Sequence, residues 1–206
     1  MAGLLEFAQQ IVNGLSLGAI YALIALGYTM VYGIIKLINF AHGDIMMVGA
    51  LVGYFSLTLL GTNIFVAMLA AMIACAVFGV LIEKIAYRPL RNSTRIAALI
   101  TAIGVSLFLE YFTIFLFGPA QKVFPETAFP IKAYAVGGLS ILNKDVFVFV
   151  SAVVLMLILQ YIIKWTKTGK AMRAVAADKN TAALMGIDVD GIISRTFIIS
   201  GILAGA

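Results

Sequence analysis

Residues 7–35 read FAQQIVNGLSLGAIYALIALGYTMVYGII, 29 positions between Glu6 and Lys36 without a formal charge. The run is apolar on every side rather than alternating with period two. A strand of a transmembrane barrel needs only ~10 residues and alternates apolar with polar side chains, so a barrel does not fit. A helix crossing a bilayer needs about 20 mostly apolar residues and satisfies its own backbone hydrogen bonds in lipid. This stretch therefore predicts a membrane-spanning helix, near 11–33.

The rest of the chain repeats the pattern. Charge-free runs at 45–82 (broken by the turn-like Gly61-Thr62-Asn63), 96–109 with its continuation past Glu110, and 146–163 predict spans near 45–60, 64–82, 96–117 and 146–163. A further apolar run opens after Arg195. Its eleven residues would reach about 16 Å as helix, half of a ~30 Å hydrocarbon core. The reading is an all-α, polytopic integral membrane protein with five complete spans and the start of a sixth. It forms one transmembrane domain over 1–206, truncated at its C-terminus. Composition agrees: of 206 residues, 63% are hydrophobic and 11% charged, against about 45–50% and about 25% in soluble domains.

Composition also removes several functions. One cysteine and one histidine leave no multi-cysteine or histidine-rich metal site. A net charge of +5, scattered along the chain, argues against nucleic acid. No nucleophile–base–acid set, phosphate-binding glycine loop or HExxH motif is present, so the chain reads as a non-enzyme that binds no cofactor. The N-terminus lacks the cationic stretch of a cleaved leader. The sequon Asn92-Ser93-Thr94 falls in a cationic loop, where glycosylation is not expected.

Lys and Arg set the orientation. They concentrate in 83–95 (Lys84, Arg88, Arg91, Arg95) and in 164–195 (Lys164, Lys167, Lys170, Arg173, Lys179, Arg195). With both segments cytoplasmic, the link 36–44 is cytoplasmic too and the N-terminus external. Segment 118–145, with Pro119, Pro125, Pro130 and Gly137-Gly138, is then external, irregular and non-helical.

Three features carry candidate function. Asn39-Phe40-Ala41-His42-Gly43-Asp44 joins the first two spans. Asp44 and His42 flank Gly43, where the backbone can turn sharply. An acidic side chain at membrane depth costs ~2.5–3.5 kcal/mol and should face protein or water. The turn either lines a translocation path or gate, or is a hairpin whose Asp44 caps the next helix. Glu110 is a second buried candidate, lining an aqueous cavity or bonding Ser106 or a neighbouring hydroxyl. The third is 164–195. Thr168-Gly169-Lys170 breaks the fifth span, and Met172, Val175 and Ala176 share a helix face. Asp178 caps a second short helix through Met185, closed by Gly186. Its apolar face (Ala182, Leu184, Met185) calls for a partner, either the headgroup region or another protein. Gly14 and Gly18 have GxxxG spacing and are expected to pack against another helix of the bundle.

Two stretches carry a resemblance. Asn13-Gly-Leu-Ser-Leu-Gly-Ala-Ile-Tyr-Ala-Leu-Ile-Ala-Leu-Gly-Tyr-Thr-Met-Val-Tyr-Gly33 followed by Ile38-Asn-Phe-Ala-His-Gly-Asp44, and Gly169-Lys-Ala-Met-Arg-Ala-Val-Ala-Ala-Asp178 followed by Ala183-Leu-Met-Gly-Ile187, resemble the permease subunits of branched-chain amino acid ABC transporters. The likeness spans essentially the whole chain, and is closer to the first of the two homologous permeases of such systems. It implies a multi-pass protein of the bacterial inner membrane. The partners it implies are a second permease, two cytoplasmic ATPase subunits that bind the ATP, and a periplasmic substrate-binding protein. It also implies an amino acid as cargo, although relatives carry urea and amides. By the same resemblance Ala176 to Ile187 form the helix that docks into an ATPase, with Arg173, Ala176, Ala177, Asp178, Ala183, Leu184, Met185, Gly186 and Ile187 as contact candidates. Ala176-Ala177-Asp178 replaces the Glu-Ala-Ala motif of many other ABC importers. Asn39, His42, Gly43, Asp44 and Glu110 are candidates for the path or gate. The competing class is an ion-coupled carrier or channel that titrates Asp44 and Glu110 and needs no ATPase.

Overall fold

The computed structural model describes residues 2–90, 93–125, 132–136 and 139–206. Asn92 of the sequon, Arg91, Pro130 and Gly137-Gly138 lie outside them. The helices are α1 (Ala2–Ile35), α2 (His42–Leu60), α3 (Ile64–Ile82), α4 (Arg95–Phe117), α5 (Asn143–Trp165), α6 (Lys167–Ala177), α7 (Lys179–Leu184) and α8 (Val189–Gly205). Five are long and apolar enough to cross a membrane: α1, α2, α4, α5, and α3 together with the π-helical turn Glu83–Tyr87 that extends it. Most of their large apolar side chains, such as Leu59, Phe108 and Phe115, point out of the bundle. That surface suits lipid or further helices rather than water.

Several boundaries differ from the sequence reading, the first being that α1 already begins at Ala2 rather than near 11. α8 begins at Val189, not after Arg195, because Asp188 accepts the Gly191 amide at 3.0 Å and starts the helix there. Its 17 residues reach about 26 Å. The break after α5 falls at Thr166 rather than at 168–170. The Thr166 hydroxyl donates to the Ile162 carbonyl at 2.6 Å and accepts the Gly169 amide at 3.0 Å, ending α5 and capping α6. Gly169 sits inside α6, where its missing Cβ lets the helix lie on the Ile162 and Ile163 carbonyls. The described residues of 118–142 are non-helical as expected, but α5 already starts at Asn143, and the segment holds an antiparallel hairpin, β1 (Ala133–Val136) and β2 (Leu139–Leu142), pairing Tyr134 with Ile141. Both the Gln9 amide groups clasp it: Nε2 donates to the Ser140 carbonyl and Oε1 accepts the Ser140 amide, each at 2.8 Å.

The core is a seam of small residues where α8 meets α2 and α3. A Cβ on Gly79 would lie 2.8 Å from the Phe197 carbonyl oxygen, and Cβ atoms on Gly201 and Gly205 would strike the α3 backbone. Close approach of this kind is how helices associate in lipid, where no hydrophobic drive separates them from the solvent. The helix packing expected of Gly14 and Gly18 is not made within the described chain. Nothing described lies within 4 Å of where their Cβ atoms would be.

The two ends of the bundle are chemically distinct. At one, Arg88 pairs with Asp190 at 3.2 Å, and Lys179 Nζ donates to the Ile35 carbonyl at 3.3 Å. The loops with most cations therefore share an end. The hairpin and Gln9 mark the other, as alternate crossing of successive helices requires.

Candidate functional site

At the basic end α1 stops because Lys36 adopts a left-handed conformation, φ 62°. This corrects the expected turn at Gly43. Asn39, Phe40 and Ala41 form the link, while His42, Gly43 and Asp44 already belong to the first turn of α2.

Asn39 and His42 are each 1% exposed. Asn39 Oδ1 accepts the Tyr87 hydroxyl at 3.1 Å. The π-turn swings Tyr87 into that position, with Arg88 N closing onto the Glu83 carbonyl at 2.8 Å. Such turns often occur at functional positions. The His42 ring lies edge-on to Tyr28, centroids 4.7 Å apart. Its Nδ1 is 3.3 Å from Ser200 Oγ, which is 3.1 Å from the Gly27 carbonyl. The carbonyl can only accept, so the Ser200 proton goes there and the ring Nδ1–H donates to Ser200. His42 Nε2 is then a bare acceptor, and a Cβ on Gly27 would overlap the ring. Among the described residues, Nε2 and Asn39 Nδ2 have no hydrogen-bond partner. A buried polar atom without a partner costs about 1–3 kcal/mol, which marks this arrangement as one that can be left for another.

Asp44 does not cap α2. The N-cap is Ala41, and the Asp44 carboxylate instead accepts the Ser106 hydroxyl of α4. It still lies in the first turn, where the helix dipole favours an anion. Gly43 is half-buried below the Tyr28 hydroxyl. Glu110 is exposed on α4, which corrects the expectation of a buried acid bonded to Ser106. The polar turn is thus assembled with α1, α4 and α8, and Glu110 is not part of it.

Several members were not anticipated. Glu83, fully buried, accepts the Ser194 hydroxyl at 2.8 Å, and Ser200 and Thr196 are buried on α8. Glu83 stands at the end of a charge-free run and reads as one more loop charge. The legible signal was Thr196 and Ser200, small hydroxyls four residues apart in an apolar run. Among the described residues no three His, Cys, Asp or Glu side chains gather as a metal site.

The α6–α7 segment follows the expected caps. Asp178 accepts the Asn180 and Thr181 amides at 2.8 and 3.2 Å and the Thr181 hydroxyl at 2.9 Å. Thr181, through its amide and then its hydroxyl, and next the Asn180 amide hold the Asp178 carboxyl below its usual pKa. Gly186, φ 81°, closes α7, with Gly186 N bonded to Ala183 O and Ile187 N to Ala182 O. This doubly bonded glycine stop is a Schellman motif. Met172 and Val175 are buried and Ala176 half-buried, whereas Arg173 and Ala177 are exposed. The expected apolar face of α7 is split. Ala182 turns into the bundle, while Ala183, Leu184 (87% exposed) and Met185 (78% exposed) project outward beside half-buried Ile187.

A cavity of about 470 Å³ opens between α1, α2, α3, α5 and α8. Its walls are almost wholly apolar, among them Ile20, Met46, Ala67, Phe124, Phe147 and Leu203.

Residues 10–206 match the family model described as "Branched-chain amino acid transport system / permease component". The chain is 38% identical over 215 residues to the high-affinity branched-chain amino acid transport system permease protein BraD of Pseudomonas aeruginosa, covering 99% of this chain and 70% of that one. Identity to the permease protein LivH of Escherichia coli is 38% over 213 residues, 97% and 68% of the two chains. A probable branched-chain amino acid transport permease of Methanocaldococcus jannaschii is 31% identical over 193 residues, covering 89% and 59%. No solved structure matches.

Proposed function

The chain belongs to the permease family of branched-chain amino acid transport systems, and on that premise we propose that it is a membrane-spanning subunit of an ATP-driven importer for branched-chain or related amino acids. The basic end faces the cytoplasm, following the distribution of Lys and Arg, and the N-terminus faces the outside of a bacterial inner membrane. A second homologous permease completes the membrane domain. A periplasmic substrate-binding protein delivers the amino acid at the hairpin end. Two ATPase subunits bind and hydrolyse ATP at the basic end, and this chain holds no cofactor of its own. The apolar cavity accommodates an aliphatic side chain, whose burial is worth ~1.5–3 kcal/mol for Val, Leu or Ile.

The observation that carries this reading is α7. A six-residue helix, capped at both ends, offers Leu184 and Met185 outward and donates Lys179 Nζ to the Ile35 carbonyl at the end of α1. A load applied to Leu184 reaches the end of α1, just before the Asn39–His42 turn, through the Lys179–Ile35 hydrogen bond. The partnerless nitrogens of Asn39 and His42 find partners when α1, α2 and α8 shift, so the inward and outward states exchange one set of polar contacts for another. An ion-coupled carrier has less support, because Asp44 is engaged by Ser106 and Glu110 stands apart from it.

Leu184→Asp tests the docking role. Against an ATPase surface the new carboxylate is buried unpaired, at high cost. The ATPase subunits should fail to co-purify and leucine uptake should fall by about tenfold or more, equivalent to ~1.4 kcal/mol, with the permease at normal abundance. Normal co-purification and uptake would overturn the assignment.

A further inference from the structure

One face of α8 with its N-cap, Asp188, Gly191, Arg195, Ile198 and Ile202, partly exposed and partly half-buried, lines two concavities one after the other that the transport reading does not use. The first, about 280 Å³, lies between the starts of α6 and α8 and carries Lys167 and Arg195. Asp188 also lines it, with Oδ1 occupied by the Gly191 amide. The second, about 480 Å³, is an open groove between α3 and α8, apolar from Leu69 to Leu81 and ending on Lys84. From residue 69 to residue 84 a helix rises about 22 Å, more than one leaflet of a ~30 Å hydrocarbon core. Glu83 accepts the Ser194 hydroxyl, so Lys84 and Arg195 each lie one residue from a direct α3–α8 bond. Among the described residues Lys84, Lys167 and Arg195 have no ion-pair partner. Exposed Tyr161 and Trp165 at the end of α5 stand just before Lys167. Aromatic residues of this kind collect at the headgroup level, which sets the depth of the cations.

We propose that an anionic phospholipid occupies this seam, its acyl chain in the α3–α8 groove and its headgroup phosphate between Lys84, Arg195 and Lys167. Apolar walls exclude a soluble anion, and the cations at one end favour an acidic lipid over a wholly apolar helix. Basic pockets between helices at the cytoplasmic surface are a general means of holding acidic headgroups. The site is independent of which solute is transported.

Native mass spectrometry tests it on the chain purified in mild detergent with equal phosphatidylglycerol and phosphatidylcholine. Phosphatidylglycerol should be retained about tenfold over phosphatidylcholine. Lys84→Gln with Arg195→Gln should bring the ratio near parity. Equal retention by the native chain, or an unchanged preference in the double variant, overturns the proposal. Should the double variant not fold, Lys84→Gln alone, at an exposed position, carries the same test. Displacement of phosphatidylglycerol by millimolar inorganic phosphate would identify a free-anion site and also overturn it.

Discussion

α8 and α4 are held in the bundle by contrasting means. α8 is seated backbone to backbone: Gly79 admits the Phe197 carbonyl, and Gly201 and Gly205 admit the backbone of α3. Ser194, Ser200 and their partners Glu83, Gly27 and His42 add bonds along its length. α4 has large apolar side chains exposed along its length and is fastened to α2 by a side-chain bond, Ser106 to Asp44. Shape and backbone proximity fix the first helix. Among the described residues the Ser106–Asp44 bond is the polar contact that registers the second, beside buried Ala102 and Leu109 and the Phe55–Phe117 ring contact, and a polar contact of that kind can be exchanged for another.

The largest effect should come from closing the space that seats α8. Gly79→Leu puts a side chain into the Phe197 carbonyl and forces the seam apart. Overpacking of this sort costs about 1–3 kcal/mol. Thermal melting in detergent should show a markedly lower midpoint, and uptake should be lost with it. An unchanged midpoint would mean that the seam is looser than its geometry.

Asp44→Ala should act on α4 alone. Hydrogen bonds to charged groups are worth about 1.5–3 kcal/mol, so the melting midpoint should drop and uptake should fall by about tenfold or more, while insertion stays near normal. Ser106→Ala should reproduce the direction at smaller size, nearer the ~0.6 kcal/mol average measured for hydrogen bonds between membrane helices. If Asp44→Ala transports normally, the bond is ornamental and α4 is positioned by something else. The smallest effect belongs to Glu110→Gln, which should leave uptake within about twofold. Abolished uptake, with transport following an ion gradient, would instead favour the titrating-carboxylate mechanism.

The spans were legible because twenty apolar residues between charges admit one solution in lipid. So were the caps of α7, where Asp178 and Gly186 carry their own geometry. The polar turn was half legible. Asn39, His42 and Asp44 stood out as polar residues between spans, but their partners Tyr87, Ser106 and Ser200 are up to 158 residues away, and no local pattern encodes such pairing. Glu110 misled for a related reason. Depth along a helix can be counted from sequence, whereas the direction a side chain faces depends on neighbours that α4 largely lacks. Gly14 and Gly18 were misread likewise, since GxxxG spacing states that a close approach is possible and not which surface makes it.

The Gln9 clasp on Ser140 has its own consequence. A primary amide sets an N–H beside a C=O as a strand's peptide group does, so Gln9 stands where a third strand would pair with β2 at Ser140, its second N–H going to Asn13. An uncovered strand edge is a template for polymerisation. By occupying the β2 edge at Ser140 with a side chain from α1, the chain leaves less of that edge open to a strand from a neighbouring molecule.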